Sequence, residues 1–238
     1  RSRNSLEVYK DTDYDLKSAE GGVRYAPGTG IEVDLVYRAT DGEYKSAQRY
    51  GDNGAALLCN NNCRKNDYDE DSLQARIQYR PSEDSSLGGF VGYTRRDYDQ
   101  GNRNFRGLTA GFDTEWAVSG AVQMRASLGR SIEPDDDAVT GSYADTWSLN
   151  FSPTIQATGK IIIDPFLRYY DRRYKGDQLA AGEVERKDKI YMIGAEADYE
   201  FRRNMFLMAS VSHEKRDSNR ANLDYKANIF GLGLKVQF

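Results

Sequence analysis

The sequence predicts an all-β fold: a transmembrane antiparallel up-and-down β-barrel with about twelve strands in this chain, a single domain over residues 1–238 that could be part of a larger barrel. Three observations predict it. Segments of about ten residues alternate apolar and polar side chains, the connections between them are short and long by turns, and the last segment ends on an aromatic residue.

Taken in chain order, the first strands are expected near 4–10 and 16–26. The third, 31–38, puts Ile31, Val33, Leu35 and Tyr37 on one face and Glu32, Asp34 and Arg38 on the other, whereas a helix would scatter those charges around its axis. Over 73–80 the alternation is strict, with Leu73, Ala75, Ile77 and Tyr79 opposed to Gln74, Arg76, Gln78 and Arg80. Weaker alternation places strands near 86–98, 105–117, 120–131, 143–155, 159–174, 187–201 and 204–216. In the closing strand Phe230, Leu232, Leu234, Val236 and Phe238 share a face, with Gly231, Gly233, Lys235 and Gln237 behind them.

The connections sort by length. Counted back from Phe238 at the periplasmic rim, the short ones are 26–30, 81–86, 118–120, 158–159 and 202–204, at every second position. The long ones, about 43–70, 98–104, 132–142, 175–186 and 217–224, fall between and are rich in Asp, Asn, Gly and Arg. A soluble β-sandwich has no reason for that parity, while a barrel with periplasmic turns and extracellular loops requires it. An even count of twelve would let the first and last strands pair, which matters because open edges in lipid leave backbone groups unpaired.

Composition alone would suggest a soluble protein, since 29% of residues are charged and the mean hydropathy is −0.76. The longest apolar runs, such as 160–163 and 205–209, fall far short of the roughly 20 residues a membrane helix needs. Alternating strands escape that test, because lumen-facing polar residues dilute every window. Aromatics near strand ends (Tyr25, Tyr37, Tyr79, Trp116, Trp147, Tyr169, Tyr199, Phe201, Tyr225 and Phe238) fit the girdles of a membrane interface. Outer-membrane lipid is the expected surrounding and the bacterial outer membrane the expected location. The chain begins at Arg1 without a charged-then-apolar leader, so an export signal is expected to be removed or to lie outside this sequence. With 33 basic against 37 acidic residues and a net charge of −4, no field exists to grip a polyphosphate backbone, and nucleic acid is not an expected partner.

Catalytic and metal chemistry find little support. The single histidine, His213, sits in Ser210–Glu214, but adjacent residues of a strand point to opposite faces, so Ser212 and Glu214 cannot both serve it as a triad. No catalytic residue, metal or cofactor is expected. Cys59 and Cys63, with three residues between them in the longest loop, are expected to form a disulfide in an oxidising envelope, and no second ligand pair lies nearby for zinc. The acidic runs 67–71 and 135–137 read as solvated loop surface without calcium-loop spacing. The functional expectation rests on the inward face, assigned to Glu32, Asp34, Arg38, Gln74, Arg76, Gln78, Asp113, Glu115, Gln123, Arg125, Asp164, Arg168, Glu196, Asp198, Glu200 and Lys235. So many charges in a dry core would be costly unless paired, which leaves a water-filled lumen or one laced with ion pairs.

Several segments resemble the β-barrel porin proteins of bacterial exopolysaccharide operons, the EpsL-type outer-membrane proteins. These are Gly92–Tyr98, Leu167–Tyr174, and His213–Arg220 leading through Leu223–Asn228 into Gly231–Phe238, within a resemblance over about 70–238. The resemblance implies a non-enzymatic role in moving or assembling a secreted polysaccharide, beside periplasmic export proteins and without a cofactor. The alternatives are a structural or binding barrel with a plugged lumen and polymer- or partner-binding loops, and a general diffusion porin. Two features depart from the family: a shorter amino end and the Cys59–Cys63 segment.

Overall fold

The computed structural model describes residues 14–44, 67–99, 104–134, 143–175 and 184–236. They form β1 (Tyr14–Tyr25), β2 (Ile31–Tyr44), β3 (Tyr68–Ser82), β4 (Ser85–Tyr98), β5 (Phe105–Ser119), β6 (Val122–Pro134), β7 (Tyr143–Phe151), β8 (Thr154–Thr158), β9 (Ile161–Lys175), β10 (Lys187–Arg202), β11 (Met205–Ser218) and β12 (Tyr225–Val236). One antiparallel sheet contains all twelve, and neighbours in sequence are neighbours in space. No helix among the described residues is long and apolar enough to cross a membrane.

The strand partition differs from expectation in one place, and one expected strand falls beyond what the structure describes. The strand expected near 4–10 lies outside the described residues, and the one expected at 143–155 is divided into β7 and β8 at Ser152-Pro153. Proline lacks the amide that a ladder needs. Yet β7 and β8 keep a single register against β6 on one side and β9 on the other, and the Ser152 amide still donates to the Arg125 carbonyl at 2.9 Å. They are one crossing with a gap, so the sheet makes eleven crossings.

The parity of the connections holds throughout. Tight turns lie at 26–30, 83–84, 120–121, 159–160 and 203–204, and the intervening connections are 45–67, 99–104, 135–142, 176–186 and 219–224. Positive φ at Gly28, Gly30 and Asn204 lets the chain reverse at the short-turn rim, where a left-handed backbone suits Gly and Asn.

Strands β2 and β3 run further toward the loop side than alternation alone indicated. Asp69 and Asp71, expected in a loop, pair with Asp41 and Ala39 of β2, whereas the ends expected at 98 and 174 fall within a residue of those of β4 and β9. Alternation misplaced the ends of β2 and β3 because both faces become polar there. The outward face carries Asp69 and Asp71 on β3, Arg95 and Asp97 on β4, and Lys187 and Lys189 on β10.

Below this charged margin the two faces are opposite in character. Leu35, Ile77 and Leu234 are 53%, 53% and 61% exposed, while Glu32, Arg76 and Lys235 stand on the other face, in register with neighbouring polar residues. A water-soluble sheet would bury the apolar set; here it is displayed as a continuous belt. On β10 the outward stretch from Tyr191 to Phe201 rises about 33 Å along the strand, or about 25 Å along the membrane normal at a tilt of about 40°. Tyr37, Tyr93, Trp147, Tyr169 and Tyr191 bound the belt on the loop side, and Tyr25, Tyr79, Trp116, Tyr199 and Phe201 on the turn side. Tyr225 is a correction to the expected girdle: its register with Arg216 turns it inward. Phe238 lies outside the described residues.

The first and last strands do not pair. Among the described residues β1 pairs only with β2 and β12 only with β11, contrary to the closure that an even count would allow. Both strands run from the loop side to the turn side, so antiparallel pairing between them is geometrically excluded.

Candidate functional site

The sheet register brings all sixteen residues expected to line the lumen onto one face. Cross-strand partners in direct register share a side, and the chains Glu32–Gln78, Asp34–Arg76, Arg38–Ser72, Gln74–Gly92 and Gly88–Asp113 connect the members from β2 to β5. Glu115–Arg125 and Gln123–Thr154 extend the face through β8, and Asp164–Glu196, Arg168–Met192 and Glu200–Phe206–Lys235 carry it to β12.

Three zones divide this wall. Over β1–β3 it is an ion-pair ladder: Arg24 to Asp34 at 2.8 Å, Arg38 to Glu20 at 2.5 Å, Arg80 to Glu32 at 3.2 Å and Arg76 to Glu20 at 3.9 Å. Arg125 continues it to Glu115 at 3.1 Å. The arginines of these pairs are exposed, so each pair contributes little to stability.

Toward the turn side of β9 and β10 the wall is acidic. Asp164 stands directly opposite Glu196, with Asp198 and Glu200 on the same face. The Asp164 carboxylate accepts from the Thr154 hydroxyl at 2.6 Å, and no basic side chain forms an ion pair with these four among the described residues.

On the loop side the wall is dense and built of arginine and aromatic rings. Asp188 is fully buried; Arg186 donates to it at 2.8 Å and Arg216 also pairs with it. Arg186 lies over Tyr174 at 4.2 Å, Arg172 over Tyr170 at 5.5 Å, and Tyr225 donates to Glu214. Across the wall Arg96 lies 4.4 Å over Tyr68 and donates to Glu70 at 2.7 Å, while Tyr68 and Tyr98 meet at 5.6 Å. Further down Arg168 covers Phe166 at 4.6 Å, and Lys235 covers Phe206 at 5.6 Å. A guanidinium held over a ring face is attracted by the ring quadrupole and stays in place without a carboxylate.

Room for these rings comes from inward glycines. A Cβ at Gly111 would strike the Phe90 ring and one at Gly194 the Phe166 ring, so glycine is used there for close approach of a side chain across the strand.

The inward aromatics Tyr68, Phe90, Tyr98, Phe166, Tyr170, Tyr174 and Phe206 were not singled out from the sequence, and Tyr225 was expected in a girdle, because only polar residues were sought for the inward face. Their parity in the alternation was the available signal: Tyr170 and Tyr174 share the phase of Arg168 and Arg172. His213 faces outward, with Nδ1 2.7 Å from the Asn228 amide oxygen, while Ser212 and Glu214 lie on the opposite face. Cys59, Cys63 and the run 135–137 lie outside the described residues.

Solved structures similar to the chain include receptors for ferric chelates. Two mutants of the ferric enterobactin receptor PfeA from Pseudomonas aeruginosa share 11% identity at a TM-score of 0.48, covering 93% of this chain and 45% and 46% of theirs. The ferric-catecholate import receptor Fiu from E. coli K12 shares 9% at 0.41, covering 94% and 58%. The chain thus spans about half the length of these receptors. No curated protein matches it. The family model described as "Putative beta-barrel porin 2" matches residues 86–238, well over half of the chain, and the protein belongs to that β-barrel porin family.

Proposed function

We propose that the protein provides a polar path for, or assists, the export of an exopolysaccharide across the bacterial outer membrane, beside periplasmic export proteins and without catalysis of its own. The observation that carries this reading is the inward wall, where arginines stacked on aromatic rings on the loop side give way to ion pairs and carboxylates toward the turns. Aromatic faces suit the C–H faces of sugar rings, and guanidinium and carboxylate groups suit their hydroxyls. The resemblance to exopolysaccharide-operon porins points the same way. In this reading Cys59 and Cys63 form a disulfide in the longest loop.

Planar-bilayer recordings of the purified protein test the path. Discrete conductance steps that dextran oligosaccharides block transiently are expected; a protein that never opens, alone or with its export partners, overturns it.

A second reading is favoured by one observation. The buried Asp188 cluster and the Arg96–Glu70–Tyr68–Tyr98 cluster pair their charges and stack their rings closely, as expected of a plugged binding barrel. Closed conductance with retained polymer binding would select it over the open path.

A further inference from the structure

On the outward face of β9–β12, at and just above the loop-side aromatic girdle, five basic residues collect: Arg173, Lys187, Lys189, Lys215 and Lys226. Their register is unusual, because like charges directly opposite one another weaken a sheet. Arg173 faces Lys187 across β9 and β10, and Lys215 faces Lys226 across β11 and β12. Asp171 and Asp217 offset part of this charge, at 3.4 Å from Arg173 and 2.7 Å from Lys215. Lys187, Lys189 and Lys226 are exposed and form no ion pair among the described residues. The loop-side outward face of β2–β4 instead carries Asp41, Asp69 and Asp97 in one row, with Lys17 opposite Asp41 and with Arg95 and Arg106 paired to Asp97.

We infer that the β9–β12 patch binds the phosphate-bearing headgroups of anionic lipid in the surrounding leaflet. Its position identifies the occupant: Lys215 and Lys226 share a cross-strand row with the girdle residues Tyr191 and Tyr169. They therefore stand at headgroup level, directly above the acyl-chain belt, where long lysine stems can reach sideways to a phosphate. An anion between facing cations also removes the repulsion that their register creates. The inference rests on the membrane-barrel reading and is independent of what passes through the lumen.

Tryptophan fluorescence tests it, because Trp147 and Trp116 lie on the outward face at the two margins of the belt. The protein is reconstituted in phosphatidylcholine vesicles, and quenching by brominated phosphatidylcholine is compared with quenching by brominated phosphatidylglycerol. In a Trp116→Phe background a preference of about fivefold for the anionic lipid is expected at Trp147. It should fall to none in Lys187→Gln/Lys189→Gln/Lys215→Gln/Lys226→Gln, and to an intermediate value in either double variant should the quadruple one not fold. Asp41→Asn/Asp69→Asn should leave it unchanged. No preference in the parent, or a preference that survives the glutamines, overturns the inference. So does abolition of the preference by millimolar inorganic phosphate, which would mean a free-anion site. A lysine-dependent dimer in native mass spectrometry without lipid preference also overturns it, in favour of a second copy's acidic margin. Failure of brominated phosphatidylcholine itself to quench Trp147 would refute the membrane reading instead.

Discussion

At Asp188 the carboxylate has no solvent contact and takes Arg186 and Arg216 as partners, so its removal strands two guanidinium groups in a poorly hydrated corner. Asp188→Leu should cost about 3 kcal/mol, read by urea titration of the protein folded in phospholipid vesicles; an unchanged midpoint would mean that the cluster does not form. Lys17 and Glu43 meet only at 3.9 Å with both side chains mostly exposed, and Lys17→Gln should leave the midpoint where it is. At this scale the sequence was informative about identity and silent about partners. Alternation assigned Arg168, Glu196 and Lys235 their face. That Arg216 of β11 reaches Asp188 of β10, or that Arg96 of β4 meets Glu70 and Tyr68 of β3, depends on register between strands, which no single segment encodes.

A strand here is a two-sided object, and its two sides predict opposite responses to the same mutation. Ile77 lies mid-belt facing lipid and Gln78 faces the wall. Ile77→Arg should weaken folding into vesicles by about 2–4 kcal/mol while Gln78→Arg inserts normally, as followed by the heat-dependent shift on gels. Equal penalties would refute the assignment of faces. Period-two alternation located eleven of the strands, because lipid on one side and water on the other impose it. It failed at the loop-side ends of β2 and β3, where the strands rise past the belt, both faces meet water and the contrast disappears. It also could not foresee the gap at Ser152-Pro153, which interrupts the assigned ladder while the register continues through it.

For the whole molecule, the inward wall carries an excess of carboxylates on its turn side, around Asp164, Glu196, Asp198 and Glu200. An open lumen should therefore prefer cations, most strongly at low ionic strength where screening is weak. Reversal potentials across a salt gradient measure this, and Glu196→Gln/Asp198→Asn should move the permeability ratio toward one; anion preference in the parent would contradict it. Eleven crossings leave β1 and β12 running the same way, so a closed antiparallel barrel containing this sheet has an odd number of further strands between them. Cysteines placed at Gly21 and Leu232 should accordingly remain uncrosslinked in the folded full-length protein, and a disulfide between them would show that the two edges meet directly.

Alternation, connection parity and the aromatic final strand by themselves determined the all-β class, the polarity of each face and the side on which each connection lies. All three follow from local contrast between lipid and water, which every segment experiences independently. Only the tertiary structure decided which charges pair, which aromatics point inward, where the strands end above the belt, and that the first and last strands stay apart. Those properties depend on the register and number of strands brought together from distant parts of the chain, and a local pattern of period two is the same for every register that preserves its faces.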